Sequence, residues 1–380
     1  MMSQQSKREL LETIRPRYLK ASKRGKARIL DEFVAATGYH RKYAIRVLKH
    51  GRKSSGLRKK GRRKEYQGEV VAVLTHIWEI CGRICSKRLK PFLPEIVAVL
   101  ERHQELSLSA EIKSQLLRMS PSTIDRCLRP ARFEVKRHGL STTKPGTLLK
   151  KAIPIRTYAD WDDARPGFVE VDLVAHCGES VEGQFLNTLT TTDVSTGWTE
   201  CVAVLHRSQH LVFAAIQTMR QRLPFPLLGL DSDNSGEFIN EITYRYCQDE
   251  RVTFTRSRPY KKNDQAHVEQ KNWSVVRHLI GYDRFETQEE LQLLNSIYDD
   301  LRLYVNFFQP VLKLIGKEQV GKKTIKRYDE AATPYQRVLR SDQVDLAVKA
   351  RLCHQYLQLN PVALRNSIDQ KVAKLWKIFR

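Results

Sequence analysis

The sequence changes pattern at Pro166. Upstream, the apolar positions recur with a helical period; downstream, short apolar runs of strand length alternate with helical segments. The first three strand-like runs follow in series and suit antiparallel pairing, a helix over 210–221 comes next, and the last two runs flank a further helix. The five predicted strands are 169–174, 185–191, 198–205, 227–230 and 252–255. This order predicts an α/β domain.

Three acidic residues in this part predict a metal site. Asp172 lies inside the first predicted strand, Asp233 follows the carboxyl end of the fourth, and Glu269 lies in the first turns of a helix predicted over 265–280. A half-buried carboxylate needs a cation partner, and hard carboxylate oxygens on separate elements suit Mg²⁺ in phosphoryl transfer. Asp231 competes for the second position, although the 35 residues between Asp233 and Glu269 favour Asp233.

The contexts of these acids resemble the integrase and transposase superfamily that carries a D, D, 35, E motif, and bacterial insertion-sequence transposases above all. The matching segments are Val171-Asp172 with His176, Ser232-Asp233-Asn234-Ser235-Gly236-Glu237-Phe238, and Asn263-Asp264-Gln265-Ala266-His267-Val268-Glu269. The resemblance covers residues 166–282 closely and the upstream part more loosely. One departure is the order Ser235-Gly236, which is Gly-Ser in many members and bears on the loop after the second acid.

The resemblance implies a fold and an activity. The core is expected to be ribonuclease-H-like, with a five-stranded mixed sheet, and Asp172, Asp233 and Glu269 are expected to be catalytic and to hold two Mg²⁺ (or Mn²⁺) ions. The enzyme would bind double-stranded DNA at element ends, cleave it and join the 3′-hydroxyl to target DNA, acting as a homo-oligomer. Two alternatives stay open, namely an inactive DNA-binding descendant and a ribonuclease-H-like nuclease that cuts without joining.

The distribution of charge also predicts a nucleic-acid partner. The formal net charge is +24, and residues 1–150 hold 35 Lys and Arg against 13 acidic residues, whereas residues 151–380 hold 31 against 29. Neutralisation of phosphates with counterion release is the simplest reason for such segregation. A highly charged solvated surface is the alternative, and the segregation of the charge disfavours it. A ribosomal or RNA-binding role would explain the charge equally well, but it does not explain the acidic trio.

Two helix-turn-helix patterns and a basic arm lie in the upstream part. In the first pattern, residues 26–48, the outward positions are His40, Arg41, Lys42 and Arg46. The arm, residues 49–64, holds nine basic residues in sixteen, among them Arg58, Lys59, Lys60, Arg62 and Arg63. In the second pattern Ser120 is a predicted helix cap before Pro121, and the outward positions are Ser122, Thr123 and Arg126. All are candidate DNA contacts; a plain helical hairpin is the alternative for the first pattern.

Further candidate DNA contacts lie near the acids. Lys261 and Lys262 precede the predicted helix 265–280, while Asn272 and Arg277 lie three and eight residues after Glu269, near its face. His176 could support the site or serve as a core histidine. His267 is expected to be structural because it points away from Glu269.

The chain is expected to contain an N-terminal helix-turn-helix with its basic arm, a second helical DNA-binding unit, a linker, the catalytic core and a helical C-terminal region. The respective bounds are 1–64, 65–145, 146–163, 164–285 and 286–380. In the last region, 288–308 predicts a long amphipathic helix, 317–327 a basic loop and 344–379 further helix. That final helical part could pack on the core, pair with a second protomer or touch DNA.

Seven scattered cysteines and the absence of a long apolar run predict a cytoplasmic protein without a membrane span. The resemblance to bacterial transposases implies that it is nucleoid-associated. Cys81 and Cys85, near His76, raise the possibility of zinc. Their spacing lacks the paired pattern of zinc sites and suits one apolar helix, so ordinary packing is favoured.

Overall fold

A computed structural model describes residues 2–51, 65–132, 165–258, 265–321 and 323–379. The chain divides into two compact units, Met1–Glu65 and Tyr66–Arg380. Some predicted DNA contacts lie outside the described residues: Arg58, Lys59, Lys60, Arg62, Arg63, Lys261 and Lys262.

The first unit consists of three helices, α1 (Gln4–Lys20), α2 (Lys23–Thr37) and α3 (Arg41–His50). α1 continues through Pro16. α2 ends at Gly38, which adopts the left-handed conformation and donates its N–H to the Val34 carbonyl. Phe33 and Leu48 are fully buried in the small core between the helices. The predicted helix, glycine turn and helix are therefore present.

The second unit begins with four helices, α4 (Glu69–Ile80), α5 (Ser86–Arg102), α6 (Ala110–Arg118) and α7 (Pro121–Leu128). Ser120 caps α7 as predicted, because its hydroxyl accepts a hydrogen bond from the Thr123 N–H at 3.2 Å. Cys81 and Cys85 do not share a helix as the sequence suggested: Cys81 follows the end of α4 and Cys85 precedes α5. A turn between the helices separates them, with Gly82 and Arg83 both at positive φ.

The centre of this unit is a mixed sheet of five strands in the order β3-β2-β1-β4-β5. The strands are β1 (Phe168–Ala175), β2 (Asn187–Asp193), β3 (Thr199–Val204), β4 (Gly229–Ser232) and β5 (Thr253–Arg256). β1, β2 and β3 pair antiparallel, while β4 and β5 continue the sheet in parallel. This strand order, with its flanking helices, is the ribonuclease-H-like fold, and it confirms the predicted core.

Helices cover the sheet and bring the candidate site together. α8 (Gln209–Arg222) lies between β3 and β4, and α9 (Glu241–Asp249) lies between β4 and β5. After β5, a helical segment comprises α10 (Ala266–Lys271), a π-helical stretch (Asn272–Arg277) and α11 (His278–Ile280). Val268 and Val276 on this segment are fully buried and fix it against the sheet.

The C-terminal region is helical except for one hairpin. Its helices are α12 (Gln288–Phe308), α13 (Pro334–Arg340), α14 (Leu346–Gln358) and α15 (Pro361–Phe379). Residues 317–327, predicted as a basic loop, instead form most of the antiparallel pair β6 (Leu314–Val320) and β7 (Lys323–Tyr328). Charge density suggested a loop, but the β-forming Ile315, Ile325 and Tyr328 sit between the charges, and Gly321 supplies the turn at φ +60°.

The helices before the sheet pack on the helices after it. The Tyr304 hydroxyl in α12 donates to the Ile80 carbonyl at 2.5 Å, and the Tyr356 hydroxyl in α14 donates to Glu95 in α5 at 2.7 Å. α15 lies along α12, where Ile368 is fully buried. The C-terminal helices therefore take the first of the three predicted options, packing on the core. Within the described ranges, no helix is both long and apolar enough to cross a membrane.

Gly167, at the start of β1, should be essential for stability. Its φ is +117°, and a Cβ atom there would lie 2.4 Å from the Pro226 carbonyl oxygen. We expect Gly167→Ala to lower the free energy of unfolding by about 2–4 kcal/mol, through backbone strain and overpacking. Urea denaturation of the full chain measures the change.

Gly316→Ala is the matched control, since a Cβ at Gly316 meets nothing within 4 Å. Its effect should stay below about 1 kcal/mol. Equal losses in the two variants would contradict the assigned role of Gly167.

Candidate active site

The register between β1 and β4 places two acidic residues side by side. In this parallel pair Val171 lies opposite Ser232, so that the next residues along the strands are Asp172 and Asp233. β4 ends at Ser232, and Asp233 lies directly past its carboxyl end, as predicted. Open α/β sheets build their sites at this edge.

Asp233 is held by the loop that follows it. Its Oδ1 accepts hydrogen bonds from the Ser235 backbone N–H at 2.9 Å and from the Ser235 hydroxyl at 2.5 Å. Asn234 bonds to residues at the end of β5 instead. Its side-chain N–H donates to the Ser257 carbonyl at 2.8 Å, and its side-chain oxygen accepts from the Arg256 guanidinium at 3.0 Å. One of these bonds needs a hydroxyl at position 235. The order Ser235-Gly236 therefore suits the role of this loop in fixing the Asp233 carboxylate.

The helical segment after β5 brings Glu269 and Asn272 to the same edge. Asn272 donates its side-chain N–H to Asp172 Oδ2 at 2.7 Å, and Asp172 Oδ1 accepts from the Leu173 N–H at 2.8 Å. Asn272 begins the π-helical stretch, a geometry that is frequent at functional sites. Asn272 was predicted to contact phosphate; its amide here binds a member of the trio.

The three acids influence one another electrostatically. Burial, with the negative charges of Asp233 and Glu269, raises the pKa of the Asp172 carboxyl to about 7, against the hydrogen bonds from Leu173 and Asn272. Asp172 on β1, Asp233 after β4 and Glu269 on α10 therefore lie near enough for the charges of the other two to act on Asp172.

The competing acid, Asp231, is engaged elsewhere. Its side chain is fully buried, and its Oδ1 accepts a hydrogen bond from the Thr255 hydroxyl at 2.7 Å. Gln265 donates to the Asp231 carbonyl at 3.2 Å. This position beneath the strand end separates Asp231 from the open edge where Asp233 lies.

Glu170 is a residue of the site that the sequence analysis did not identify. It is fully buried on β1, and its Oε2 accepts hydrogen bonds from the His267 N–H at 2.9 Å and the Val268 N–H at 3.0 Å. The signal was present, since a glutamate two residues before Asp172 in an apolar strand lies on the same face and needs a partner when buried.

Arg277, in contrast, is turned into the protein. Its guanidinium donates to the Ala175 carbonyl at 2.7 Å and to the Gly281 carbonyl at 3.2 Å, and it stacks over the Tyr282 ring. The π-helical stretch changes the spacing of side chains between Glu269 and Arg277, so counting residues along a regular helix misplaced it. We do not retain Arg277 as a phosphate contact.

The two histidines near the motif have structural positions. His176 is fully buried, with Nε2 2.7 Å from the Thr188 hydroxyl, and burial lowers its pKa to about 3. Its ring also contacts Phe285 edge-on. His267 contributes its backbone N–H to Glu170, as noted above. Neither imidazole is required to explain the convergence of the acids.

The other predicted contacts lie on helix surfaces. His40, Arg41, Lys42 and Arg46 are exposed on or next to α3, where His40 caps the helix and Arg41 forms an ion pair with Asp31. On α7, Ser122 and Arg126 are exposed and Thr123 is half-buried. These positions are compatible with DNA contact, which stays a prediction.

The donor set fits a hard divalent cation, since all three acids offer oxygen atoms and their mutual repulsion needs a positive charge. Within the part of the chain that the structure describes, no three His, Cys, Asp or Glu side chains already form a group that could hold a metal ion.

One relative identifies the family. Uncharacterized protein y4rM of Sinorhizobium fredii (strain NBRC 101917 / NGR234) is 44% identical to the chain over 336 residues, which make up 88% of this chain and 96% of that protein. The chain belongs to the y4rM family. No family model matches it.

Solved structures that resemble parts of this y4rM-family protein are integrase catalytic cores. The core of BIV integrase is 18% identical, with a TM-score of 0.32 over 46% of this chain and 95% of that one. The core of HTLV-2 integrase in complex with magnesium, in its dimeric form, is 12% identical, with a TM-score of 0.30. The match covers 39% of this chain and 91% of that one. The fold assignment rests on the strand order of the chain itself.

The raised pKa of Asp172 predicts a pH-dependent stability. The native state holds this proton more tightly than the unfolded chain, whose Asp pKa is about 3.9, so metal-free protein should lose stability as pH rises from about 4 to about 7. Asp172→Asn removes this loss. In chelator at pH 8 the variant should be more stable than the wild type by about 1–3 kcal/mol, and at pH 4 the difference should vanish.

Denaturation at both pH values measures the effect. Asp249→Asn, an exposed change on α9, is the control and should shift stability equally at pH 4 and pH 8. A wild type as stable as Asp172→Asn at pH 8 would show that folding does not raise the pKa of Asp172.

Proposed function

We propose that this protein is a metal-dependent polynucleotidyl transferase of the DDE transposase and integrase type, with Asp172, Asp233 and Glu269 as its catalytic acids. The observation that carries the proposal is the β1–β4 register, which sets Asp172 beside Asp233 at the strand ends of a ribonuclease-H-like sheet. The influence of Glu269 on the pKa of Asp172 supports its place in the same site. The motif resemblance supports a transposase of the bacterial insertion-sequence kind.

The proposed reaction has two steps. Water attacks a phosphodiester at the element end and releases a 3′-hydroxyl and a 5′-phosphate; the 3′-hydroxyl then attacks a target phosphodiester and displaces the 3′-oxygen of the target strand. Two Mg²⁺ or Mn²⁺ ions bound to the three acids would supply activation of the attacking oxygen and stabilisation of the leaving one.

The side chains of the site have separate tasks in this scheme. Leu173 and Asn272 donate hydrogen bonds that fix both oxygens of Asp172, and Ser235 fixes one oxygen of Asp233. These bonds orient the carboxylates before substrate arrives, which lowers the cost of organising the site. Glu269 is exposed on α10 and is the third acid of the proposed metal site.

The helical units are proposed to bind the DNA. The exposed residues His40, Lys42 and Arg46 lie on one side of a small three-helix unit, opposite its buried core, and the excess of basic charge lies in residues 1–150. Joining two element ends requires two active sites, so we further propose a homo-oligomer that assembles on nucleoid DNA. Residues Ser122, Thr123 and Arg126 on α7 are proposed as a second contact.

The catalytic assignment predicts that Asp172→Asn, Asp233→Asn and Glu269→Gln each lower cleavage and joining by at least about 10³-fold while leaving DNA affinity unchanged. Each change removes one ligand charge with little change of shape. The assay uses labelled element-end duplex and target plasmid, with Mg²⁺, Mn²⁺ or Ca²⁺ added after chelation. Mg²⁺ and Mn²⁺ should support both steps, whereas Ca²⁺ should support DNA binding only.

Glu241→Gln, an exposed change on α9, is the control and should keep full activity. Cleavage without joining would favour the nuclease alternative, and DNA binding with no metal-dependent chemistry would favour the inactive descendant. Full cleavage in chelator would overturn the proposed metal site. Activity that survives Asp233→Asn but not Asp231→Asn would reassign the second acid.

The DNA-binding assignment predicts that Lys42→Ala weakens binding of the full chain to duplex DNA. The slope of log affinity against log salt concentration should also become shallower by about 0.9, the change expected for one lost phosphate contact. Arg245→Ala on α9 removes an equally exposed charge and should leave affinity and slope unchanged. Equal effects of the two variants would contradict a specific role for α3.

A further inference from the structure

A second pair of acids lies directly beneath the candidate catalytic pair. Glu170 lies opposite Asp231 in the same parallel register, and each precedes its catalytic neighbour by two residues. Residues two apart on a strand share a face, so Glu170 lies on the same face of the sheet as Asp172, and its register partner Asp231 lies on that face as well. Both lower acids are fully buried.

Glu170 holds the start of the helix that carries Glu269. A single carboxylate oxygen accepts the N–H groups of His267 and Val268, at 2.9 and 3.0 Å. The first N–H groups of a helix have no partner within it, and a carboxylate acceptor is favoured there by charge and by the helix dipole. The two bonds fix the turn that immediately precedes Glu269.

Asp231 holds the residue before that helix. The Gln265 amide donates to Asp231 Oδ2 at 3.4 Å and to its carbonyl at 3.2 Å, and it also reaches the Val171 carbonyl at 3.4 Å. The Thr255 hydroxyl fixes the other oxygen of Asp231 at 2.7 Å. Gln265 is itself buried, so these bonds form away from solvent.

We infer that Glu170 and Asp231 are positioning residues, which fix Glu269 against Asp172 and Asp233. This inference rests on the proposed function and adds a role that the three catalytic acids do not supply. β1 and β4 already set Asp172 and Asp233 by their register, whereas Glu269 comes from a different element. Glu170 and Asp231 bind the helix of Glu269 to β1 and β4. The same two strands therefore set the positions of all three catalytic acids.

The test compares Glu170→Gln and Asp231→Asn with Glu200→Gln in the full chain. Glu200, on β3, is also a fully buried carboxylate of the sheet, but it accepts its hydrogen bonds from the Arg302 and Trp198 side chains and not from residues 265–268. Amide exchange of residues 265–271 reports how firmly the helix is held. Mn²⁺ binding, followed by electron paramagnetic resonance without DNA, reports the geometry of the acids.

The two site variants should exchange amides 265–271 at least about 10-fold faster and bind Mn²⁺ about 10-fold more weakly, the usual loss when an outer partner of a metal ligand is removed. In the cleavage assay kcat should fall while KM for DNA stays unchanged. Glu200→Gln should lower thermal stability without altering exchange at 265–271 or Mn²⁺ affinity.

Wild-type exchange and wild-type Mn²⁺ affinity in Glu170→Gln would overturn the inference. If that variant does not fold, Gln265→Met decides, because it leaves all acids in place and removes the amide bonds to Asp231 and to the Val171 carbonyl. It should show the same two losses, and unchanged exchange and Mn²⁺ affinity would overturn the inference. A wild type that binds Mn²⁺ but cleaves no DNA would refute the proposed function, and exchange and Mn²⁺ binding would still decide the positioning role.

Discussion

Parallel pairing of β1 with β4 is the interaction on which the candidate site depends. Because Val171 lies opposite Ser232, Asp172 and Asp233 meet at the strand ends, and Glu170 meets Asp231 one layer below. A slip of one residue would send one acid of each pair to the opposite face of the sheet. Gly167 allows this register to begin, since no side chain fits between β1 and the Pro226 carbonyl.

The burial of Asp172 and its closeness to Asp233 and Glu269 destabilise its charged form, and the hydrogen bonds that it accepts offset this effect only in part. Burial and the charges of Asp233 and Glu269 raise the pKa of Asp172, while the hydrogen bonds of Leu173 and Asn272 lower it. A divalent cation would reverse the sign of these interactions, because it turns mutual repulsion into shared attraction. Under the proposed function, the metal-free protein would give up some stability for a site that suits a bound cation, a trade that is common at functional sites.

The sequence predicted the strands and the helix of Glu269 because each has a local signature: an apolar run, turn formers after it, or a helical period. It placed Asp233 correctly past the end of β4. It did not predict the Asn272–Asp172 bond or the inward turn of Arg277, since a π-helical stretch alters the spacing on which such counting relies. The sequence did not predict the β6–β7 hairpin, because the density of charged residues indicated a loop more strongly than the β-branched residues indicated strands.

The most direct test of the account is to locate Mn²⁺ in crystals of the full chain by anomalous scattering. The account predicts an anomalous peak between the carboxylates of Asp172, Asp233 and Glu269, with Asn272 still bound to Asp172, and it predicts the loss of that peak in Glu269→Gln crystals. An ordered site with no peak at saturating Mn²⁺, or a peak bound by other residues, would contradict the claim that the strand register builds a metal-dependent active site.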